Sequence, residues 1–354
     1  MRPRDAAGHL AGMLPGDELE VEEQEGPEST GRRRAFAAGP GGVTAVTAEE
    51  AAERIRTASA EGEGTLVWID ILRPAEADGT FLRDVLKFHP LPVEDCLYGK
   101  QNPKLERYPG YYFLVLYAGR VNPVRNRPAF YELHCFVGGT YLVTVRKESV
   151  REVRELMAQW RSAPRLFPTV GHLAHGLADA LVDSYFPMID HFGTRVAASE
   201  TEVFDEPDEA MQHIMSLRRE LLRFRGVVGP TRDVFASLLR RDLPFLNPDL
   251  MPYFQDVRDH AVRVTEEIDT LRDLLSTAVE AQFAVTSNKL NQTVRMMTAW
   301  SIILMSMALI TGIYGMNFDR MPELGWRYGY FIVLAAMFAV GTSLVLFFRR
   351  RHWL

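Results

Sequence analysis

Two long uncharged stretches dominate the pattern of apolar and polar positions, and both lie near one end of the chain. Between Arg295 and Asp319 there is no charged residue, and Met296 to Tyr314 is apolar almost throughout. A second such stretch runs from Tyr328 to Phe348 and is closed by Arg349, Arg350 and Arg351. A helix rising ~1.5 Å per residue needs about 20 residues to cross a ~30 Å hydrocarbon core, and both stretches meet that length. Trp326, Tyr328 and Tyr330 stand where interfacial anchors belong. Lys289 and Arg295 precede the first stretch and the three arginines follow the second. The loop 316–327 balances Arg320 and Arg327 with Asp319 and Glu323. The excess of basic flanks predicts both termini on the cytosolic side of the plasma (inner) membrane.

Within the first stretch a second pattern is superimposed. Asn291, Thr298, Ser301, Met305, Ala308 and Gly312 recur at helical spacing on one side, with Met297 beside them. Small and polar residues on one face suit a close helix–helix seam and a pore wall equally well. Two spans cannot enclose a pore alone, so the pore reading requires a homo-oligomer. The stretch ends in Tyr314-Gly315-Met316-Asn317-Phe318. Glycine lets the backbone turn there, and asparagine supplies neutral amide oxygens that suit a hydrated divalent ion.

Upstream the period changes. Thr47-Ala48-Glu49-Glu50 is a capping-box pattern opening a helix to about Ser59. Segments Thr65–Ile71, Tyr111–Ala118, Tyr131–Val137 and Thr140–Val145 have strand composition, the last two joined as a hairpin at Gly138-Gly139. From about Pro168 the pattern is helical, with breaks expected at Glu206-Pro207, Gly229-Pro230 and Leu243–Pro252. One long helix is expected from Tyr253 to about Tyr314. The fold class is therefore an α/β cytosolic domain, long stalk helices and two C-terminal transmembrane helices. The expected organisation is an acidic disordered tail over 1–35, an α/β domain over 36–165 and helices over 166–252. The stalk and first span follow over 253–315, then the outer loop 316–327, the second span 328–348 and the basic end 349–354.

Composition narrows the function. A net charge of −6 over 354 residues, with no dominant basic face, argues against nucleic acid. The two cysteines, Cys96 and Cys135, make neither a disulfide framework nor a Cys-x-x-Cys site. The first residues lack the apolar run of a signal peptide. No phosphate loop or catalytic triad is present, so enzymatic activity is not expected. His89 and His134 read as packed or surface histidines. His172 and His175, three apart, are a weak metal pair.

Tyr-Gly-Met-Asn-Phe, followed by Met321-Pro322-Glu323-Leu324 and a span with a basic end, resembles the CorA family of magnesium transporters. The similarity continues in Ser287-Asn288-Lys289, Tyr253-Phe254-Gln255-Asp256-Val257, Asp179-Ala180-Leu181-Val182-Asp183 and His89-Pro90-Leu91-Pro92-Val93-Glu94-Asp95. It covers about Gly64 to Leu354. The resemblance implies a funnel-shaped homopentamer that transports Mg²⁺, often with Co²⁺ or Ni²⁺ accepted. It implies a selectivity filter at Gly315, Met316 and Asn317. It also implies regulatory Mg²⁺ held between subunits by Asp95 and Asp256, with Glu94 and Asp179 contributing. Where relatives often carry proline in the first span, this chain has Ser306. Zinc-transporting relatives usually vary the middle residue of the tripeptide, so Met316 favours the magnesium branch. A zinc transporter and a membrane-tethered cation sensor without transport stand as alternatives.

Overall fold

The computed structural model describes residues 33–61, 65–122, 126–205, 207–240, 247–316 and 325–354, and it divides into two compact units. The first unit runs to Tyr185 and takes in Gly229–Val262. The second comprises Phe186–Val228 and Arg263–Leu354.

The first unit is built on a seven-stranded sheet. Its strands are β1 (Arg33–Gly39), β2 (Gly42–Val46), β3 (Val67–Leu72), β4 (Lys104–Tyr108), β5 (Tyr111–Asn122), β6 (Arg127–Val137) and β7 (Tyr141–Arg146). They lie in the order β2-β1-β3-β7-β6-β5-β4, all neighbours antiparallel except β3 and β7. A strand covered on both faces reads as a continuous apolar run, and β7 is buried at every position. One face carries Val67, Ile69, Phe113, Phe136 and Val143 against Ala51, Ala52 and Ile55 of α1 (Ala48–Glu61). On the same face lie Phe81 and Leu82, from the π-turn that follows α2 (Glu76–Thr80), and Val93 from α3 (Pro90–Tyr98). Helices α4 (Arg151–Ser162) and α5 (Val170–Asp183) also pack on the sheet. Trp160 of α4 meets Trp68 of β3, the ring centroids 6.1 Å apart.

A buried ion pair joins the parallel strands. Arg146 donates from Nε and Nη2 to the two carboxylate oxygens of Asp70, at 3.1 and 2.8 Å. The Thr144 hydroxyl donates to Asp70 at 2.8 Å and accepts from the Trp68 indole at 3.0 Å. The pair is thus satisfied as a buried ion pair must be. At the β6–β7 turn a Cβ on Gly138 would lie 2.2 Å from the Tyr141 ring, so only glycine lets that ring close over the turn. Cys96 and Cys135 are free and buried, and burial pushes both thiols up.

Several expectations are corrected here. Arg33, Arg34 and Ala35 form part of strand β1, inside the segment expected to be a disordered tail; Arg33 reaches across to Asp78, its Nε donating to that carboxylate at 2.6 Å. The rest of the expected tail, 1–32, lies outside the described residues. Strands β1, β2 and β4 add to the expected set, and β5 and β6 are longer than expected. The break expected at Gly229-Pro230 does not occur. Helix α7 (Pro207–Leu239) continues through Pro230, although proline cannot donate the backbone hydrogen bond of an interior position. His172 and His175, the weak metal pair of the sequence, each have other partners. His172 Nδ1 lies 2.8 Å from the Thr169 hydroxyl, while His175 meets the Tyr253 and Phe254 rings edge-on at 5.5 and 5.4 Å.

In the second unit α6 (Phe186–Asp205) pairs with α7 through Phe192 stacked on Phe224 at 5.8 Å and Arg195 bonded to Glu220 at 2.5 Å. Helix α8 (Met251–Tyr314) belongs to both units and is unbroken for 64 residues, with Pro252 in its first turn. It starts slightly before the expected Tyr253. Ser306 leaves its hydrogen bonding continuous, the hydroxyl donating to the Ile302 carbonyl at 2.7 Å. Helix α9 (Gly329–Arg350) is the second apolar helix, ending past the expected Phe348.

Candidate functional site: an exposed helix stripe and an acidic cluster

Helices α8 and α9 are long and apolar enough to cross a membrane, and only 11% and 6% of their apolar windows is buried within the chain. The few buried positions decide which face of α8 meets α9. Ala299, Ile303 and Phe348 form a small core, and the position of a Cβ on Gly341 lies 3.8 Å from Met307. The seam therefore runs along Ala299, Ile303 and Met307. Asn291, Met297, Thr298, Ser301, Met305, Ala308 and Gly312 are all exposed. At 100° per residue, the centre of their stripe lies roughly 180° around the helix from the seam. The stripe expected to be either seam or pore wall is not the seam between the two helices of one chain. Thr298 satisfies its hydroxyl on the Val294 carbonyl at 2.8 Å, so the polar stripe keeps the helix continuous.

At the end of α8, Gly315 donates to the Thr311 carbonyl at 2.9 Å and Met316 to that of Ile313 at 3.4 Å. The helix thus closes into a turn at the residues expected to open the filter, and Met316 is exposed. Asn317 lies outside the described residues.

The acids expected to bind regulatory metal separate into two groups, both in the first unit. Asp95, in the last turn of α3, accepts from Gln101 Nε2 at 2.9 Å and from Lys104 Nζ at 2.8 Å. Lys104 also reaches Glu106 at 3.0 Å. Asp95 is thus already neutralised within its own chain, and Glu94 beside it is exposed. None of the described contacts of Asp95 is to Asp256.

The second group joins α5 to the start of α8. Asp179, Asp183 and His260 each present a ligand atom, all within 4.8 Å of one another. His260 Nδ1 lies 3.2 Å from Asp183, and its Nε2 lies 3.7 Å from Asp256. Burial, and then the neighbouring Asp183 charge, raise the Asp179 carboxyl above its ordinary range. One turn earlier, burial lowers the His175 imidazole. The physical picture is a set of carboxylates held close with too little positive charge, which a divalent cation would relieve. Carboxylate oxygens suit Mg²⁺, and an imidazole nitrogen adds a donor suited to Co²⁺ or Ni²⁺. The chemistry of the donor set therefore fits a divalent ion.

Asp179 and Asp256 are expected members of this group; Asp183 and His260 are additions from the structure. The signal available for them is spacing. Asp179 and Asp183 are four apart on one helix, as are Asp256 and His260 on another, so each pair shares a face.

Comparison with known proteins bears on the same segments. The family model described as CorA-like Mg²⁺ transporter protein matches residues 63–350. The Thermotoga maritima cobalt/magnesium transport protein CorA is 33% identical over 278 residues, 75% of this chain and 77% of that protein. The putative metal ion transporter YfjQ of Bacillus subtilis is 31% identical over 288 residues, 81% of this chain and 89% of that protein. The complete structure of the CorA magnesium transporter from Methanocaldococcus jannaschii superposes with a TM-score of 0.77 at 20% identity, covering 92% of this chain and 99% of that one.

Proposed function

The chain belongs to the CorA-like Mg²⁺ transporter family, and from that premise we propose that it is a Mg²⁺ channel that also accepts Co²⁺ and Ni²⁺. It works as a homopentamer in the plasma membrane, with both termini in the cytosol. The observation that carries this reading is the exposed stripe of α8, set well away from the α8–α9 seam. Copies arranged about one axis would bury that stripe together and line a pore with it, while α9 and the apolar flanks of α8 meet lipid.

Gly315, Met316 and Asn317 form the filter at the outer mouth. Mg²⁺ sheds its water reluctantly, so neutral amide oxygens from Asn317 accept hydrogen bonds from the hydrated ion. A ring of carboxylates would hold it more tightly and slow its release. Thr298, Ser301 and Asn291 extend a polar track along α8, and Met297, Met305, Ala308 and Gly312 keep it narrow and apolar between them.

Regulation falls to the acids of the first unit. Asp179, Asp183, Asp256 and His260 would hold a divalent cation when cytosolic Mg²⁺ is high. The neutralised Asp95 and exposed Glu94 serve a second contact, made with Asp256 of a neighbouring copy. Filling these sites favours the closed assembly, and emptying them shifts the population towards the open one. Transport requires no covalent step, only the gradient and the membrane potential.

The test is Mg²⁺ uptake into liposomes holding the purified protein, with internal Mg²⁺ varied. Uptake that falls as internal Mg²⁺ rises, and that loses this dependence in Asp179→Asn with Asp256→Asn, is the expected result. Absence of uptake at every internal concentration would reduce the protein to a tethered sensor. Uptake of Zn²⁺ in preference to Mg²⁺ would assign the other cargo.

A further inference from the structure

We propose that Lys104 is a built-in counter-ion that a divalent cation must displace from Asp95, and that this lysine sets the Mg²⁺ concentration at which Asp95 responds. The proposal rests on the regulatory reading of Asp95 above and adds the residue that tunes it.

Both oxygens of the Asp95 carboxylate are in use. Oδ1 accepts from Gln101 Nε2 at 2.9 Å and Oδ2 from Lys104 Nζ at 2.8 Å. The two donors are unequal competitors for a metal. The Gln101 amide is neutral, and its backbone N–H is pinned to Glu132 Oε1 at 2.8 Å. His134 Nε2 lies 3.0 Å from that same Glu132 oxygen. Gln101 therefore holds Asp95 in place whatever occupies the other oxygen. Lys104 carries a full charge, and an ammonium repels a divalent cation twice as strongly as it repels a single charge at the same distance. Cation and lysine thus exclude each other at Oδ2.

A second partner eases the departure of the lysine. Lys104 and Glu106 are two apart on β4 and share a face of that strand. Glu106 Oε1 lies 3.0 Å from the same Nζ, and Tyr108 donates its hydroxyl to Glu106 Oε2 at 3.0 Å. Phe113, opposite Glu106 on β5, turns its ring towards the ammonium, which stands 5.5 Å from the centroid. When a cation takes Asp95, the ammonium keeps Glu106 and the aromatic face, so it is not left buried and unpaired. The pair is also within reach of solvent. The Lys104 and Asp95 side chains are 26% and 23% exposed, against 1% and 2% for Arg146 and Asp70. The deep pair is a permanent fastening, whereas ions and water can enter the Lys104 contact. An ion pair so exposed shifts an equilibrium by up to about fivefold. That factor moves a binding threshold without abolishing binding.

The test is limited proteolysis of the full-length protein in detergent across a MgCl2 series, read as the concentration that gives half-maximal protection. K104M is expected to lower that concentration by about fivefold. K104Q, which keeps a donor for Asp95 without the charge, is expected to lower it too, while K104R holds it within about twofold of wild type. E106Q leaves Lys104 to Asp95 alone and is expected to raise it. K100M removes an exposed positive charge of the same unit and is expected to leave it unchanged. K104M/D95N is expected to match D95N, because the shift runs through Asp95. An unchanged threshold in both K104M and K104Q, an equal fall in K100M, a fall in E106Q, or a fall that persists without Asp95 would each overturn the proposal. An equal fall in K104R would assign the effect to packing and overturn it too. Wild type that gains no protection from MgCl2 would instead remove the regulatory reading, and this proposal with it.

Discussion

Replacing Asp183 by asparagine should stabilise the protein without divalent cations and weaken it with them. The carboxylates of Asp179 and Asp183 approach within 4.8 Å. At that separation two unit charges repel by ~3 kcal/mol at an effective dielectric near 20. Asp183 is exposed and Asp179 half-buried, so solvent screening brings the realised repulsion to ~1 kcal/mol or less. Asp183→Asn removes that term and, with EDTA present, raises stability by up to that amount. A cation bound only to the folded state stabilises by about 2.7 kcal/mol at a hundredfold excess over its Kd. The variant loses one charged donor and so gains less. The two stabilities should therefore cross as MgCl2 is added. Thermal unfolding of the full-length protein in detergent, in EDTA and across a MgCl2 series, reads both branches. An asparagine variant no more stable in EDTA than wild type, yet stabilised equally by MgCl2, would refute the reasoning.

Other predictions rest on separate parts of the fold. Asp70→Asn leaves the buried Arg146 guanidinium without its counter-charge and should cost about 3–5 kcal/mol in chemical denaturation; a loss under about 1 kcal/mol would contradict the pairing. Burial lowers the His175 imidazole in the folded state, so the unfolded chain binds protons first. Stability should then fall as pH drops through the unfolded value near 6.5 and level off below the folded one. His175→Gln, measured in EDTA, should flatten that part of the profile, and an unchanged slope would assign it to other groups. Gly138→Ala puts a methyl against the Tyr141 ring and should cost about 1–3 kcal/mol, read from the same denaturation curves.

The parts of this fold that sequence makes legible are those with one dominant physical signal. The α8 and α9 apolar runs show themselves by length and lack of charge, and β5 to β7 by dense aromatic and β-branched content. Strand β1 is hidden because Arg33 and Arg34 resemble a basic tail, and the partner of Arg33, Asp78, lies 45 residues away. Strand β4, Lys-Leu-Glu-Arg-Tyr, is a charged edge strand with little alternation to read. Pro230 carries a local signal that the surrounding helix overrides. At the acidic cluster, periodicity pairs Asp179 with Asp183 and Asp256 with His260. Nothing local brings the two pairs together across the sequence separation of 77 from Asp183 to His260. The stripe on α8 is visible as a pattern, but only the positions of Ala299, Ile303 and Phe348 separate it from the seam.

The central claim is that the end of α8 selects the ion. Mg²⁺ flux into liposomes, wild type against Asn317→Ala with both shown to assemble alike, tests it most directly. The account predicts that flux in the variant disappears or ceases to distinguish Mg²⁺ from competing cations. Unchanged and equally selective flux in Asn317→Ala would contradict it.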